Sequence, residues 1–152
     1  MQANSLVGYK IVKENDLVFN KLNPGLARFG HSNYNGITSP DFAVYKVNSN
    51  ICTAKFLQYL LKTEKYVSSF RGIGAGVGDG FARLYTPQLY NFCVSLPSIE
   101  GVHEIVSYLE CKCSEIDGVI AEKKNQIETL DNYKKSLIYE YVTGKKQVKE
   151  NA

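Results

Sequence analysis

From Glu100 to Tyr141 the chain has no proline and two glycines, Gly101 and Gly118. Across this stretch apolar residues recur at alternating spacings of four and three. They are Val102, Val106, Leu109, Cys113, Ile116 and Ile120, then Ile127, Leu130, Leu137 and Tyr141, with Lys123 and Lys134 filling the two remaining slots. Sustained 3–4 spacing is the pattern of a coiled-coil helix. About 40 residues at ~1.5 Å each make a helix of roughly 60 Å. One apolar seam cannot hold such a helix in water by itself. It must pack on its own chain, on a second copy or on another protein. A helix this long exceeds the width of a globule built from the remaining residues, whose radius of gyration would be near 13 Å, so part of it is predicted to project. Pro97 bars an earlier start and Gly144 is a natural C-terminal stop. Lys123 and Lys134 are predicted to reach to solvent or to acids on a partner helix.

The residues before Pro97 follow a different pattern. They are rich in Gly, Asn, Ser and aromatics, with short β-like runs. Lys10–Val12 and Asp16–Leu22 flank a turn at Glu14 and Asn15. Phe42, Val44, Tyr45 and Val47 form a second run, and Phe92 to Leu96 a third. Thr53 to Thr63 reads as a short helix, with Thr53 as N-cap and Phe56, Leu57, Leu60 and Leu61 as its apolar stripe. The fold class predicted is α+β (mixed α/β): a head over residues 1–99, a long coiled-coil-type helix over 100–144 and a polar tail over 145–152.

With 152 residues, 44% hydrophobic and 22% charged, the chain can bury a core. No apolar run reaches the roughly 18 residues of a membrane span. Residues 1–9 lack a basic segment followed by an apolar one, which predicts no signal peptide and a cytoplasmic location. Cys52, Cys93, Cys111 and Cys113 are then expected as reduced, buried or half-buried thiols. The net charge of +3 is unevenly placed. Residues 1–100 carry ten Lys and Arg against six Asp and Glu, and residues 101–152 carry eight against nine. A basic head suits a polyanion, although charge alone favours an ordinary solvated surface.

Enzyme chemistry finds little support. The glycines from Arg71 to Gly80 recur at every second residue, so G-x-G-x-x-G does not occur, and no Lys-Ser or Lys-Thr follows. The stretch reads instead as a flexible surface loop. Pro40-Asp41 and Glu122-Lys123-Lys124 could supply the two parts of a nuclease metal site, but they lie 80 residues apart, the second on the helix. Cys111 and Cys113 would point about 200° apart on a helix, too divergent for one zinc ion. His31, read as a loop residue, and His103, near the helix start, have no evident partner nucleophile. Neither a catalytic constellation nor a metal or cofactor site is predicted.

Four stretches together resemble the specificity subunit of Type I restriction–modification enzymes. Tyr9 to Lys21 (YKIVKENDLVFNK) is similar to the family's Y-x-V-x-x-G-D-I-V-x-N-K/R, with Asn15 where Gly is usual. Gly30 to Phe42 (GHSNYNGITSPDF) is similar to G-x-S-x-Y-x-G-I-V-S-P-x-Y. The glycine stretch ending at Arg83 leads to Leu96-Pro97-Ser98-Ile99-Glu100, similar to L-P-P-L-x-E-Q, with Ser98 for the second Pro and Gly101 for Gln. Tyr133 to Lys145 (YKKSLIYEYVTGK) resembles the end of the family's long helix, Y-K-x-S-L-I-x-x-x-V-T-G-K, and is the most specific of the four. The resemblance runs in the family's order from about Tyr9 to Val148.

That resemblance implies a target-recognition domain that reads half of a split DNA site, followed by a spacer helix. The chain would hold at most half of a subunit: a gene fragment, an exchangeable C-terminal cassette or a half subunit that dimerises. Its partners would be double-stranded DNA, another specificity half or a second copy met through the helix, the methyltransferase subunit and, through that, the restriction subunit. Those subunits would perform the chemistry. A different role is an assembly or regulatory protein that pairs with such subunits without reading DNA. Candidate DNA-binding residues are Lys21, Arg28, His31, Ser32, Asn33, Tyr34, Arg71 and Arg83. Lys21, Arg71 and Arg83 suit phosphates, Asn33 suits adenine and Arg28 suits guanine. Tyr34 is equally suited to lie under the loop as a core aromatic, Ser32 to serve a turn, and Arg83 to bond the carbonyls of the glycine loop.

Overall fold

The computed structural model describes residues 6–73, 75–77 and 81–148. It is a mixed α+β chain with small antiparallel sheets and a long C-terminal helix, and it divides into two compact units, one running to Ser107 and one from Tyr108.

The first unit is built around a three-stranded antiparallel sheet, with β2 (Leu17–Asn20) between β3 (Phe29–His31) and β5 (Phe42–Tyr45). The alternation of a half-buried strand is plain in β2: Leu17 and Phe19 are buried, Val18 and Asn20 less so. Register places Phe19 opposite Phe29 and Ala43, so three core side chains meet across three strands. Phe19 and Phe29 stack at 4.6 Å between ring centroids, and Phe70 stands edge-on to both at 5.6 and 5.9 Å. Phe92 tilts against Phe70 at 5.0 Å. Burying each such ring contributes about 1.5–3 kcal/mol.

A second sheet pairs β1 (Lys10–Val12) with β4 (Gly36–Thr38), and a hairpin pairs β6 (Ala75–Val77) with β7 (Phe81–Arg83). Helix α1 (Ala54–Leu61) starts as its sequence demands: the Thr53 hydroxyl accepts the Phe56 N–H at 3.1 Å. Helix α2 (Glu64–Ile73) follows at once, and the short α3 (Thr86–Tyr90) comes after the hairpin.

Helix α4 (Ile99–Val142) is one unbroken helix of 44 residues, starting one residue before and ending two residues short of the predicted 100–144. The Ser98 hydroxyl accepts the Gly101 N–H at 3.3 Å, a cap that proline at that position could not supply. At the other end Gly144 has φ +73°, and Lys146 donates its N–H back to the Glu140 carbonyl at 3.0 Å. Val102 is fully buried with Cys52 and Phe56, and Val106 packs partly on the same cluster, so the first turns of α4 belong to the core of the first unit.

Several local expectations change. Phe92 to Leu96 forms no strand, because Phe92 and Val94 are held by packing on the core instead of by a partner strand. Asp16–Leu22 shortens to Leu17–Asn20; Leu22 makes only an isolated bridge to Arg83. Among the described residues of the glycine stretch, helix and strand replace the expected loop. Arg71, Gly72 and Ile73 end α2, and Ala75–Val77 pairs antiparallel with Phe81–Arg83, while Gly74 and residues 78–80 lie outside the described residues. His31 closes β3 rather than lying in a loop. Of the four thiols only Cys52 is buried; Cys93, Cys111 and Cys113 are exposed, the last two on the bare surface of α4.

Candidate nucleic-acid interface

Two groups of basic residues meet at the step from Asp41 to Phe42. The first is set by strand ends. Lys21 follows β2, where its N–H donates to the Asp41 carbonyl at 3.2 Å and its own carbonyl accepts the Leu84 N–H at 2.9 Å. Lys21 is thereby fixed between the approach to β5 and the end of β7. Arg83, the last residue of β7, brings its guanidinium 3.8 Å from the Asp41 carboxylate and 6.0 Å from the Tyr85 ring. Lys10, at the start of β1, donates from its ammonium to the Phe42 carbonyl. The Lys21 ammonium is held below the usual lysine range, first by partial burial, then by the charges of Lys10 and Arg83, with Asp41 opposing.

The second group lines a shallow groove of about 380 Å³ on the sheet, formed by Val18, Arg28, Phe29, Gly30, His31, Ser32 and Phe42. Arg28 is exposed, and its backbone is tied to β2 by the Asn20 N–H at 3.0 Å. His31 is anchored, since Gln58 Oε1 lies 2.9 Å from its backbone N and 3.1 Å from its Nδ1. Because that oxygen can only accept, Nδ1 is the donor in this contact. The Ser32 hydroxyl donates to the Tyr34 carbonyl at 2.7 Å and accepts the Tyr34 N–H at 3.3 Å, so it shapes the turn. Asn33 and Tyr34 stand at the tip, with Tyr34 78% exposed and no core aromatic. The tip is braced from β1–β2: Asn15 donates to the Ser32 carbonyl at 2.8 Å and Glu14 to the Asn35 side chain at 3.1 Å.

Arg71 is placed differently. It lies on α2, its guanidinium 2.8 Å from Glu64 and its stem against Gly25, where an added Cβ would come within 2.3 Å of Arg71 Cγ. Gly25 is thus a seat for the arginine stem. Lys10 escaped the sequence reading because β1 approaches β5 only in the folded chain. The sole hint in the sequence was a lysine opening a strand.

The seam of α4 divides into two parts. Val102 and Val106 are covered by the first unit. From Leu109 onward the seam lies on the second unit, where Leu109 and Leu137 are half-buried and Cys113, Ile116, Ile120, Ile127, Leu130 and Tyr141 are exposed, Leu130 by 65%. Val119 and Tyr133, also exposed, sit one residue before the Ile120 and Lys134 slots and widen the stripe. Lys123 hydrogen-bonds Gln126 on its own helix at 3.1 Å.

Among the described residues no three His, Cys, Asp or Glu side chains are grouped as a metal ion would require, and no helix is long and apolar enough to cross a membrane. No protein-family model matches the chain, and no curated protein matches it.

Proposed function

We propose that the chain is the DNA-recognition module of a Type I restriction–modification specificity subunit. It pairs through α4 with another specificity half and with the methyltransferase subunit. The observation that carries this reading is the gathering of Lys10, Lys21, Arg28, His31 and Arg83 around the Asp41–Phe42 step. These residues come from four strands and their ends, and such a cationic surface beside an exposed polar tip suits a phosphate backbone with a base edge in reach. The bare seam from Ile116 to Tyr141 supports the assembly half of the reading, because an apolar stripe of that length loses free energy to water until a partner helix covers it. The chain then acts as a reader, and cleavage and methyl transfer belong to its partners.

The deciding experiment measures binding to duplex DNA across a salt series, first with the full chain alone and then with a methyltransferase subunit and a second specificity half. Sequence-dependent binding with a steep salt slope, lost on charge removal at Arg28 and Arg83, is the expected result. Assembly with those subunits but unchanged DNA affinity after both substitutions would leave a pairing protein that does not read DNA. Turnover by the purified chain, abolished by Asp41→Ala or Glu122→Ala, would overturn the reading altogether.

A further inference from the structure

We propose that Lys10, Lys21 and Arg83 form a clamp for a single phosphate group, and that Asp41 occupies it as an internal counter-ion until that phosphate displaces it. The physiological ligand, a phosphodiester of a nucleic acid, rests on the function proposed above. The anion chemistry of the clamp stands without it.

The geometry is specific to this corner of the sheet. The Lys10 ammonium from β1 donates to the Phe42 carbonyl, and the Arg83 guanidinium at the end of β7 stands 3.8 Å from the Asp41 carboxylate. Lys21, after β2, is tied to the Asp41 carbonyl by its backbone N–H, its ammonium within reach of the charges of Lys10, Arg83 and Asp41. Gathering three like charges around one carboxylate opposes folding, and a purely structural corner would be better served by neutral side chains. The contacts of Lys21 that hold the sheet are made by its backbone, so its ammonium is not needed for them. Partial burial first, and the charges of Lys10 and Arg83 second, disfavour that ammonium, and an arriving anion offsets the charge part.

Asp41 is a weak occupant. Its carboxylate stands 3.8 Å from Arg83, a Coulombic contact too long for a hydrogen bond, and the two side chains are 53% and 39% exposed. A surface pair of this kind is cheap to open. A phosphate group brings more acceptor oxygens and can take a bidentate fork from arginine while the lysines approach as point charges. Exchange of carboxylate for phosphate therefore gains hydrogen bonds that the resting pair lacks.

The test uses the full chain with two probes, inorganic pyrophosphate and a short duplex of arbitrary sequence. Pyrophosphate is followed by amide and lysine-ammonium NMR shifts. The expected shifts centre on Lys10, Lys21 and Arg83. Asp41→Asn, which keeps the shape and removes the charge, should tighten binding of both probes about two- to fivefold. Arg83→Gln and Lys10→Gln should each weaken both and lower the salt slope for the duplex by about 0.9. Pyrophosphate binding that is unchanged or weakened by Asp41→Asn, with shifts elsewhere, overturns the clamp. Pyrophosphate held at these residues without duplex binding keeps the clamp and removes the nucleic-acid reading. Duplex binding indifferent to Asp41→Asn and Arg83→Gln keeps that reading and removes the clamp.

Discussion

The side-chain oxygen of Gln58 accepts from both the backbone N–H of His31, at 2.9 Å, and its Nδ1, at 3.1 Å. A helix residue thus closes the open edge of β3 and fixes the ring of a candidate base-contacting residue with one atom. Gly30 makes room for it, since a Cβ there would lie 2.8 Å from the same oxygen. Gln58→Leu should leave an edge amide and the ring without this acceptor. The expected loss is about 1–2 kcal/mol in chemical denaturation, with faster hydrogen exchange at the His31 amide. Unaltered exchange would mean that another acceptor replaces Gln58.

Asn15 occupies the left-handed region with φ +65° and braces the Ser32 carbonyl. Glycine and asparagine are the residues that tolerate this backbone most readily. Asn15→Gly should fold normally. Asn15→Val should cost about 1–2 kcal/mol and loosen the tip bearing Asn33 and Tyr34. Thermal melts of the two variants, compared with the parent, decide the point.

The two parts of the α4 seam predict opposite outcomes for the same chemistry. Val102→Asp places a charge in a fully buried site and should unfold the first unit, at a cost above about 3 kcal/mol. Ile120→Asp, with Ile120 45% exposed, should leave the melting of the isolated chain within about 0.5 kcal/mol of the parent. Combined with Ile116→Asp it should abolish helix pairing in sedimentation. A parent chain that stays monomeric at high concentration, alone and with a specificity half, would sink the pairing role.

Lys21 offers a reading of the basic corner by titration. Its folded pKa lies below the ordinary lysine value, so the folded state binds fewer protons than the unfolded one in the alkaline window between the two. Stability carried by this group therefore rises with pH through that window. Removing Arg83's charge with Arg83→Gln should move the Lys21 pKa upward, and Asp41→Asn should move it further down. Lysine-ammonium NMR reports both directions, and a shift of the wrong sign would contradict the arrangement of charges.

The local signals in the chain settled much of its secondary structure. The proline-free 3–4 seam and its stops marked α4 to within two residues at each end, because a long helix is defined by its own periodicity and stops. Thr53 marked the start of α1 for the same local reason. Helix α2 was hidden by the neighbouring glycines and by a stripe whose members, Tyr66, Val67 and Phe70, are buried only once the sheet lies beneath them. The strands β3 and β4 are three residues each, too short for an alternation to be read. The candidate site shows the same division. Lys21, Arg28, His31 and Arg83 could be picked by residue type, whereas Lys10 could not, and nothing local said that Arg71 would spend its charge on Glu64. Sequence alone determined the helix and the supply of basic side chains. Only the tertiary structure decided which charges converge, because Lys10 and Phe42 are 32 residues apart and Lys21 and Arg83 further still, brought together by strand pairing that no local pattern encodes.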